Sequence, residues 1–409
     1  MMIGDKQTLR RCIKQIVRHA PVVETRLDFD VQRGELGVEA MLGTWTAASE
    51  NPDEACRRAL GGRTPVLNDA VAMFAALDAL DFPVQDLTRA AQMQKIYTRE
   101  AYLREILDVM NAKFVLVRTP LCRAQDARFE DDRFHPLLAV GKDLFIPGRF
   151  GVPYEQAAQR IIEAARLCGA HHVLLESFDA QAVRYCLMPA CEDAGLMLHV
   201  GFDEAQQIEE FSGILDGAHA VRALVYAEPA CERQLIAFAK GRERMLVRLS
   251  SFAHIEEAFS SLGMRFVPYG SAAVLPEQML GRWIAAKEKL WQALCAAYLP
   301  LARTGYEIDS EALERDVEAL LCGHILDGIM RADGVVEIFN RRFQCLDKGF
   351  EKDEAVDVVI RPEDVDIVPE DQGQLKGTVT SVTFKGVHYD TIVDFYGFKW
   401  LIQTTDLSP

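Results

Sequence analysis

The side chains best suited to chemistry in this sequence stand where short apolar runs end. Arg26 and Asp28 follow PVVET, Arg118 closes VLVR and Glu176 stands in VLLES. His199 and Asp203 lie near the end of LMLHVGF, Ser251 follows LVRLS, and Ser271 ends RFVPYGS. Gathered at one end of a set of strands, these groups would line a pocket for a small polar or anionic molecule. Arg26 and Arg118 would be its cationic arms, because a planar guanidinium grips a carboxylate or phosphate through two N–H groups. For each residue taken singly, the plainer alternative is a surface or structurally paired side chain. His199 alternates with Leu198 and Val200, so its ring points toward the interior, where a hydrogen-bonded core histidine is the commoner outcome. His171 and His172 head a strand rather than end one, which reads as structural.

Several other chemistries have no motif here. There is no GxxxxGK[ST] loop to cradle a triphosphate, and no GxGxxG, HExxH or GxSxG. The ten cysteines are scattered without a CxxC pair, Cys186 and Cys191 being the nearest neighbours, and read as buried thiols. The formal net charge of -16 is spread along the chain. Such a surface repels phosphate backbones, so nucleic acid and anionic membrane are not expected partners. The opening MMIGDKQTLRRCIKQIVRHA has no signal-peptide core. No apolar run reaches the ~18 residues that span a bilayer. The expectation is a cytoplasmic protein without direct membrane insertion.

Positioning the strand-end residues requires a particular scaffold. Runs at 21–29, 113–121, 171–178, 196–202, 220–227, 245–251 and 265–271 are short and rich in Val and Leu. Amphipathic stretches such as YEQAAQRIIEAARLCGA (154–170) and DAQAVRYCLMPACEDAG (179–195) lie between them. Strands alternating with helices indicate parallel β-α units. Seven or eight such units predict an α/β fold of the closed (β/α)8 type, with chemistry at the C-terminal strand ends. Residues 30–112 read as a mainly helical insertion after the first strand. Residues 280–321 are helical, with Ser310 opening the last helix. After about His324 the pattern changes to period-two alternation: VVEIF, RRFQCL, AVDVVIRP, QLKGTVTSVTFKG, VHYDTIVDFYG and FKWLIQTT. That predicts a small antiparallel barrel. The expected domains are residues 1–324 and 325–409, with Val379, Val382, Phe384, Val387 and Ile392 in the core of the second.

The first region resembles the uronate isomerase branch of the amidohydrolase superfamily. The resemblance rests mainly on LGMRFVPYGSAAVLPEQMLGRW (262–283), where Leu262, Gly263, Phe266, Pro268, Ser271, Ala273, Gln278 and Trp283 fit, and on TGYEIDSEALERDVEALL (304–321). It implies a metal-dependent barrel with His-x-His after its first strand and a His-x-Asp after its last. In this chain those positions fall on Arg26 and Asp28, and on Gly270 and Ala272. Guanidinium holds its proton and a methyl group has no lone pair. The expectation is therefore a pseudoenzyme with no metal and no cofactor of its own.

The tail carries the sharper signal. AVDVVIRPEDV (355–365) contains a strand followed by Arg361, Pro362, Glu363 and Asp364, and GTVTSVTFKGVHYDTIVDFYGFKWLIQTTD (377–406) follows it. Together with ILDGIMRADGVVEIF (325–339), these stretches resemble the transport-associated OB (TOBE) module of spermidine/putrescine importer ATP-binding subunits. Pro362 cannot donate to a ladder and so ends its strand. Arg361 beside Glu363 and Asp364 reads as an intramodule ion pair in preference to a ligand contact. The resemblance implies an OB-like barrel without chemistry of its own. It also implies ABC importer subunits as partners, with ATP bound only by a partner ATPase. The strand expected after Thr405 and Asp406 is missing before Pro409, so the barrel is expected to be incomplete.

Three functions fit these readings. The first is an accessory or regulatory protein of a polyamine importer. The second is a uronate isomerase or amidohydrolase-type enzyme with unusual ligands. The third is a non-physiological fusion of two gene fragments, brought together by rearrangement or assembly error.

Overall fold

A computed structural model gives the fold of the chain. It describes residues 2–3, 6–45, 51–61, 67–145, 153–217, 221–242, 244–263, 265–322, 328–338, 341–345, 354–356, 365–369, 373–375, 377–384, 389–395 and 398–404. The chain divides into two compact units, Met1–His324 and Ile325–Pro409.

The first unit is built on eight parallel strands: β1 (Val22–Leu27), β2 (Ala112–Pro120), β3 (Phe134–Val140), β4 (His172–Leu175), β5 (Met197–Phe202), β6 (Ala223–Ala227), β7 (Met245–Arg248) and β8 (Phe266–Val267). Their order in the sheet is their order in the chain. A parallel bridge from Leu27 to Ala273 joins β1 to the chain just beyond β8, and the Asp28 N–H donates to the Ala273 carbonyl at 2.8 Å. The sheet thereby curls back on its first strand. The Val- and Leu-rich strands are buried on both faces, as barrel strands covered by helices must be.

All seven predicted runs form strands, and β3 is the addition. Pro136 sits inside it, opposite Val117 in the parallel ladder. A proline ordinarily argues against a central strand because it cannot donate, which hid RFHPLLAV from the sequence pattern. The predicted insertion between β1 and β2 is helical: Val38–Gly43, Pro52–Leu60, Leu67–Ala79, Leu87–Gln94 and Arg99–Met110. Asn51, Asp86 and Thr98 start three of these helices by accepting hydrogen bonds from backbone N–H groups three residues on. Lys6–His19 buries Leu9, Ile13 and Val17, spaced four apart, against the long helix Pro276–Arg303. The final helix, Ser310–Cys322, opens at Ser310 as expected.

Among its described residues, the second unit has two antiparallel sheets. One orders Arg341–Gln344, Val335–Ile338, Gly328–Ala332 and Glu354–Val356; the other orders Thr378–Phe384, Tyr389–Phe395 and Phe398–Thr404. Met330, Val336 and Ile338 form a small core with Phe343 and Cys345 packed on it. The expectation for Val379, Val382 and Phe384 needs correction. They lie on an outer strand and are 50%, 46% and 60% exposed. Val387, the Ile392 side chain and the motif residues Arg361, Pro362, Glu363 and Asp364 lie outside the described residues.

One close crossing holds the helical insertion to the barrel. Gly281, in Pro276–Arg303, lies against the backbone of Ala72 in Leu67–Ala79, where a Cβ would collide with the Ala72 carbonyl. Gly281→Ala should destabilise the chain by about 1–3 kcal/mol, because a backbone contact cannot yield cheaply. Gly213→Ala, at an exposed helical site with open space around it, should instead gain up to ~1 kcal/mol from helix propensity. Urea denaturation of both variants measures the contrast.

Candidate functional site

The C-terminal strand ends bring four of the eight predicted pocket residues together. Arg26 grips Asp28 side-on: Nε donates to Oδ1 at 2.9 Å and Nη2 to Oδ2 at 2.8 Å. Arg118, on β2, donates from Nε to Oε1 of Glu176 at 2.7 Å, its Nη2 meets the same oxygen, and its Nε lies 3.9 Å from Asp28. The result is a cluster of two cations and two anions. This corrects the picture of Arg26 and Arg118 as free cationic arms, since each is already matched by a carboxylate of the chain. Burial works against the Arg26 charge, yet the hydrogen bonds and field of Asp28 leave its pKa above the usual value.

His199 lies deeper. It is buried, and its Nε2 is 3.0 Å from Nδ1 of His172. One ring must donate and the other accept, so the pair cannot be doubly protonated and keep this bond. Burial, helped by the positive Arg248 and Arg26, pushes His199 down to about 3. Burial with the neighbouring His199 pushes His172 well down too. His135 stacks on Phe114 with ring centroids 4.0 Å apart, and burial lowers it to about 4. These are core histidines, and His172 takes part in the barrel interior although it heads its strand.

Ser271 contributes mainly through its backbone. Its N–H donates to both oxygens of Glu24, at 3.2 and 2.9 Å, while its Oγ accepts from the Ala273 N–H at 3.3 Å. The two remaining predicted residues do not join the cluster. Asp203 is exposed and its N–H donates to Gln207 Oε1 at the start of the helix Ala205–Asp216. Ser251 caps a short 3-10 turn by accepting from the Ala253 N–H. Its neighbour Ser250 and His254 instead bind the buried Glu232, each at 2.7 Å.

Two residues that dominate the site were not singled out in the sequence. Glu24 is fully buried and accepts from Arg26 N, Ser271 N and Trp283 Nε1, the last at 2.8 Å. Arg248, at the end of β7, is 6% exposed. Its Nη1 donates to Thr25 Oγ1 at 3.3 Å, and its guanidinium lies 3.9 Å from the centroid of the Tyr226 ring. Burial lowers its pKa against the opposing fields of Tyr226 and Glu24. The signal available for both was a charged residue inside an otherwise apolar run.

The ligand set that the barrel resemblance implies does not fit a divalent cation. Both oxygens of Asp28 are held by Arg26. Ala272 offers only a methyl group, although its φ of 44° keeps the left-handed backbone that Asp and Asn tolerate better. At Gly270 even a Cβ would meet Thr25 Oγ1 at 2.7 Å and Arg248 Cδ at 2.8 Å, so an imidazole has no room. Among the described residues, no group of three or more His, Cys, Asp or Glu could hold a metal ion. No helix among them is long and apolar enough to cross a membrane.

Comparison with known proteins separates the two units. Residues 358–398 match the TOBE domain. The tail carries a TOBE domain. Over 82 residues the chain is 55% identical to the spermidine/putrescine import ATP-binding protein of Acetivibrio thermocellus, covering 20% of this chain and 23% of that protein. Over 85 residues it is 50% identical to the protein of the same name from Desulfitobacterium hafniense, covering 21% and 24%. The chain thus spans about a quarter of the length of these curated relatives. The barrel has the fold of uronate isomerases. The enzyme from Bacillus halodurans superposes with a TM-score of 0.66 at 16% identity, over 79% of this chain and 96% of that one. The enzyme from Thermotoga maritima gives 0.53 at 9%, over 79% and 99%.

The buried histidines are expected to make the barrel acid-sensitive. Their folded pKa values lie below the unfolded value of 6.5, so their stabilisation is present above pH 6.5 and is lost as pH falls toward about 4 and 3. Glu277, raised by burial to about 7, works in the opposite sense between pH 7 and 4.5, so the contribution of one histidine is best read as a difference. His199→Asn should flatten the stability-against-pH curve by one proton, about 1.4 kcal/mol per pH unit between pH 6 and 4. Denaturant unfolding at stepped pH measures the difference.

Proposed function

We propose that this chain is a non-catalytic accessory or regulatory protein of an ABC importer for polyamines. Its TOBE domain docks on the importer's ATP-binding subunits, and its barrel serves as a binding module in place of an enzyme. The observation that carries this reading is the concentration of specific identity in the tail. About half of its residues match proteins named for spermidine and putrescine import, while the barrel keeps only a fold. The barrel mouth supports the reading, because Arg26 and Asp28, at two of the resemblance's ligand positions, are committed to each other, and Gly270 and Ala272 offer no ligand atom. Under this proposal ATP is bound by the partner subunit, and the chain works at the inner face of the membrane as part of the complex.

The test is reconstitution of a spermidine/putrescine importer from a host of this chain in proteoliposomes, with and without the full-length protein. The expected result is co-migration of the chain with the ATP-binding subunit on size exclusion, and at least a twofold change in spermidine-dependent ATP hydrolysis. Separate migration together with an unchanged rate would refute the docking role.

A further inference from the structure

Arginine side chains in this barrel reveal a repeated grip. Arg26 holds Asp28 through Nε and Nη2. Arg133 holds Asp131 through the same two nitrogens, at 2.8 and 2.8 Å. Arg242 holds Asp216 likewise, at 3.1 and 3.0 Å. In each case one planar edge of the guanidinium meets the two oxygens of a carboxylate, which is the strong bidentate form of the pair.

Arg248 departs from this pattern. It ends β7 inside the mouth of the barrel and is more than nine-tenths buried. Its Nη1 is fixed by Thr25, which turns the Nε–Nη2 edge away from that anchor. Nε has no hydrogen-bond partner, and among the described residues no carboxylate lies within ion-pair distance of the side chain. The nearby charges are otherwise engaged. Glu24 is saturated by Arg26 N, Ser271 N and Trp283, Asp28 is held by Arg26, and Glu176 by Arg118. A buried guanidinium without an anion is costly, because desolvation weakens the charge without a partner to offset it. The face of Tyr226 offsets only part of that cost by a cation–π contact.

We propose that the Nε–Nη2 edge of Arg248 is the receptor for the carboxylate of a small ligand at the barrel mouth. Arg248 would grip the two oxygens as Arg26 grips Asp28, and Thr25 would hold the fork in register. Tyr226, half-buried and packed on Gly201, covers the guanidinium and has to turn aside for the ligand to enter. The ligand class is a monocarboxylate. A planar side-on fork matches two coplanar oxygens better than it matches a tetrahedral phosphate or a spherical halide. No bond is made or broken. The site is independent of the docking proposed for the tail, so either proposal can fail while the other stands.

Arginine side-chain Nε–Hε resonances of the full-length protein, followed by NMR, test this directly. Sodium acetate is the probe, with sodium chloride at matched ionic strength and sodium phosphate as comparators. One buried Nε–Hε signal, assigned by its loss in Arg248→Lys, should move saturably with acetate, and neither comparator should move it comparably. Arg248→Lys keeps the charge and loses the fork, and should weaken acetate binding at least tenfold by thermal-shift titration. If that variant does not fold, Tyr226→Leu uncovers the same edge and should tighten acetate binding several-fold. An acetate response absent from the wild-type Nε–Hε signals, equal for chloride, or undiminished in folded Arg248→Lys would overturn the proposal.

Discussion

A single buried carboxylate fixes the geometry on which the barrel mouth depends. Glu24 stands on β1, yet its oxygens are held by the backbone beyond β8 and by the indole of the long helix. Hydrogen bonds to a charged group contribute about 1.5–3 kcal/mol each when buried. Those from Ser271 and Trp283 therefore tie the two ends of the sheet together where the Leu27–Ala273 bridge begins. With β1 pinned in this register, Thr25 faces Arg248 and Arg26 reaches Asp28. The charge pattern of the mouth follows from that closure.

The mouth sets an unusual group of side chains on a barrel with the fold of uronate isomerases. The turn after β8 runs through a left-handed residue, Ala272. The space that a side chain at Gly270 would need is taken by Arg248 and Thr25. Guanidinium groups supply positive charge at the mouth, and the carboxylates beside them are spent on neutralising it. A divalent cation would have to displace Arg26 from Asp28 and would find few further donors.

Much of this was legible in the sequence, and the exceptions have physical causes. Parallel strands buried on both faces are near-continuous apolar runs, so seven of eight were visible; β3 was masked by Pro136, which a parallel ladder accommodates. The placing of Arg26 and Asp28 at the end of the first strand could be read directly, whereas the pairing of Arg118 with Glu176 could not, because it joins residues 58 apart in the chain. Glu24 and Arg248 are charged residues inside apolar runs, and only closure of the barrel shows what they touch. Asp203 and Ser251 followed the strand-end rule but serve the loops that start the next helices. In the tail, alternation matches the strands seen among the described residues but not their faces. The sequence does not say which strand of a small sheet lies outermost, and Val379, Val382 and Phe384 are exposed for that reason.

With Asp28 held by Arg26, the barrel mouth is expected to bind no divalent cation. Calorimetric titration of zinc and of manganese into the chelator-treated full-length protein tests this most directly. No saturable stoichiometric site at the barrel mouth is expected. A one-to-one site that disappears in Asp28→Ala would contradict it.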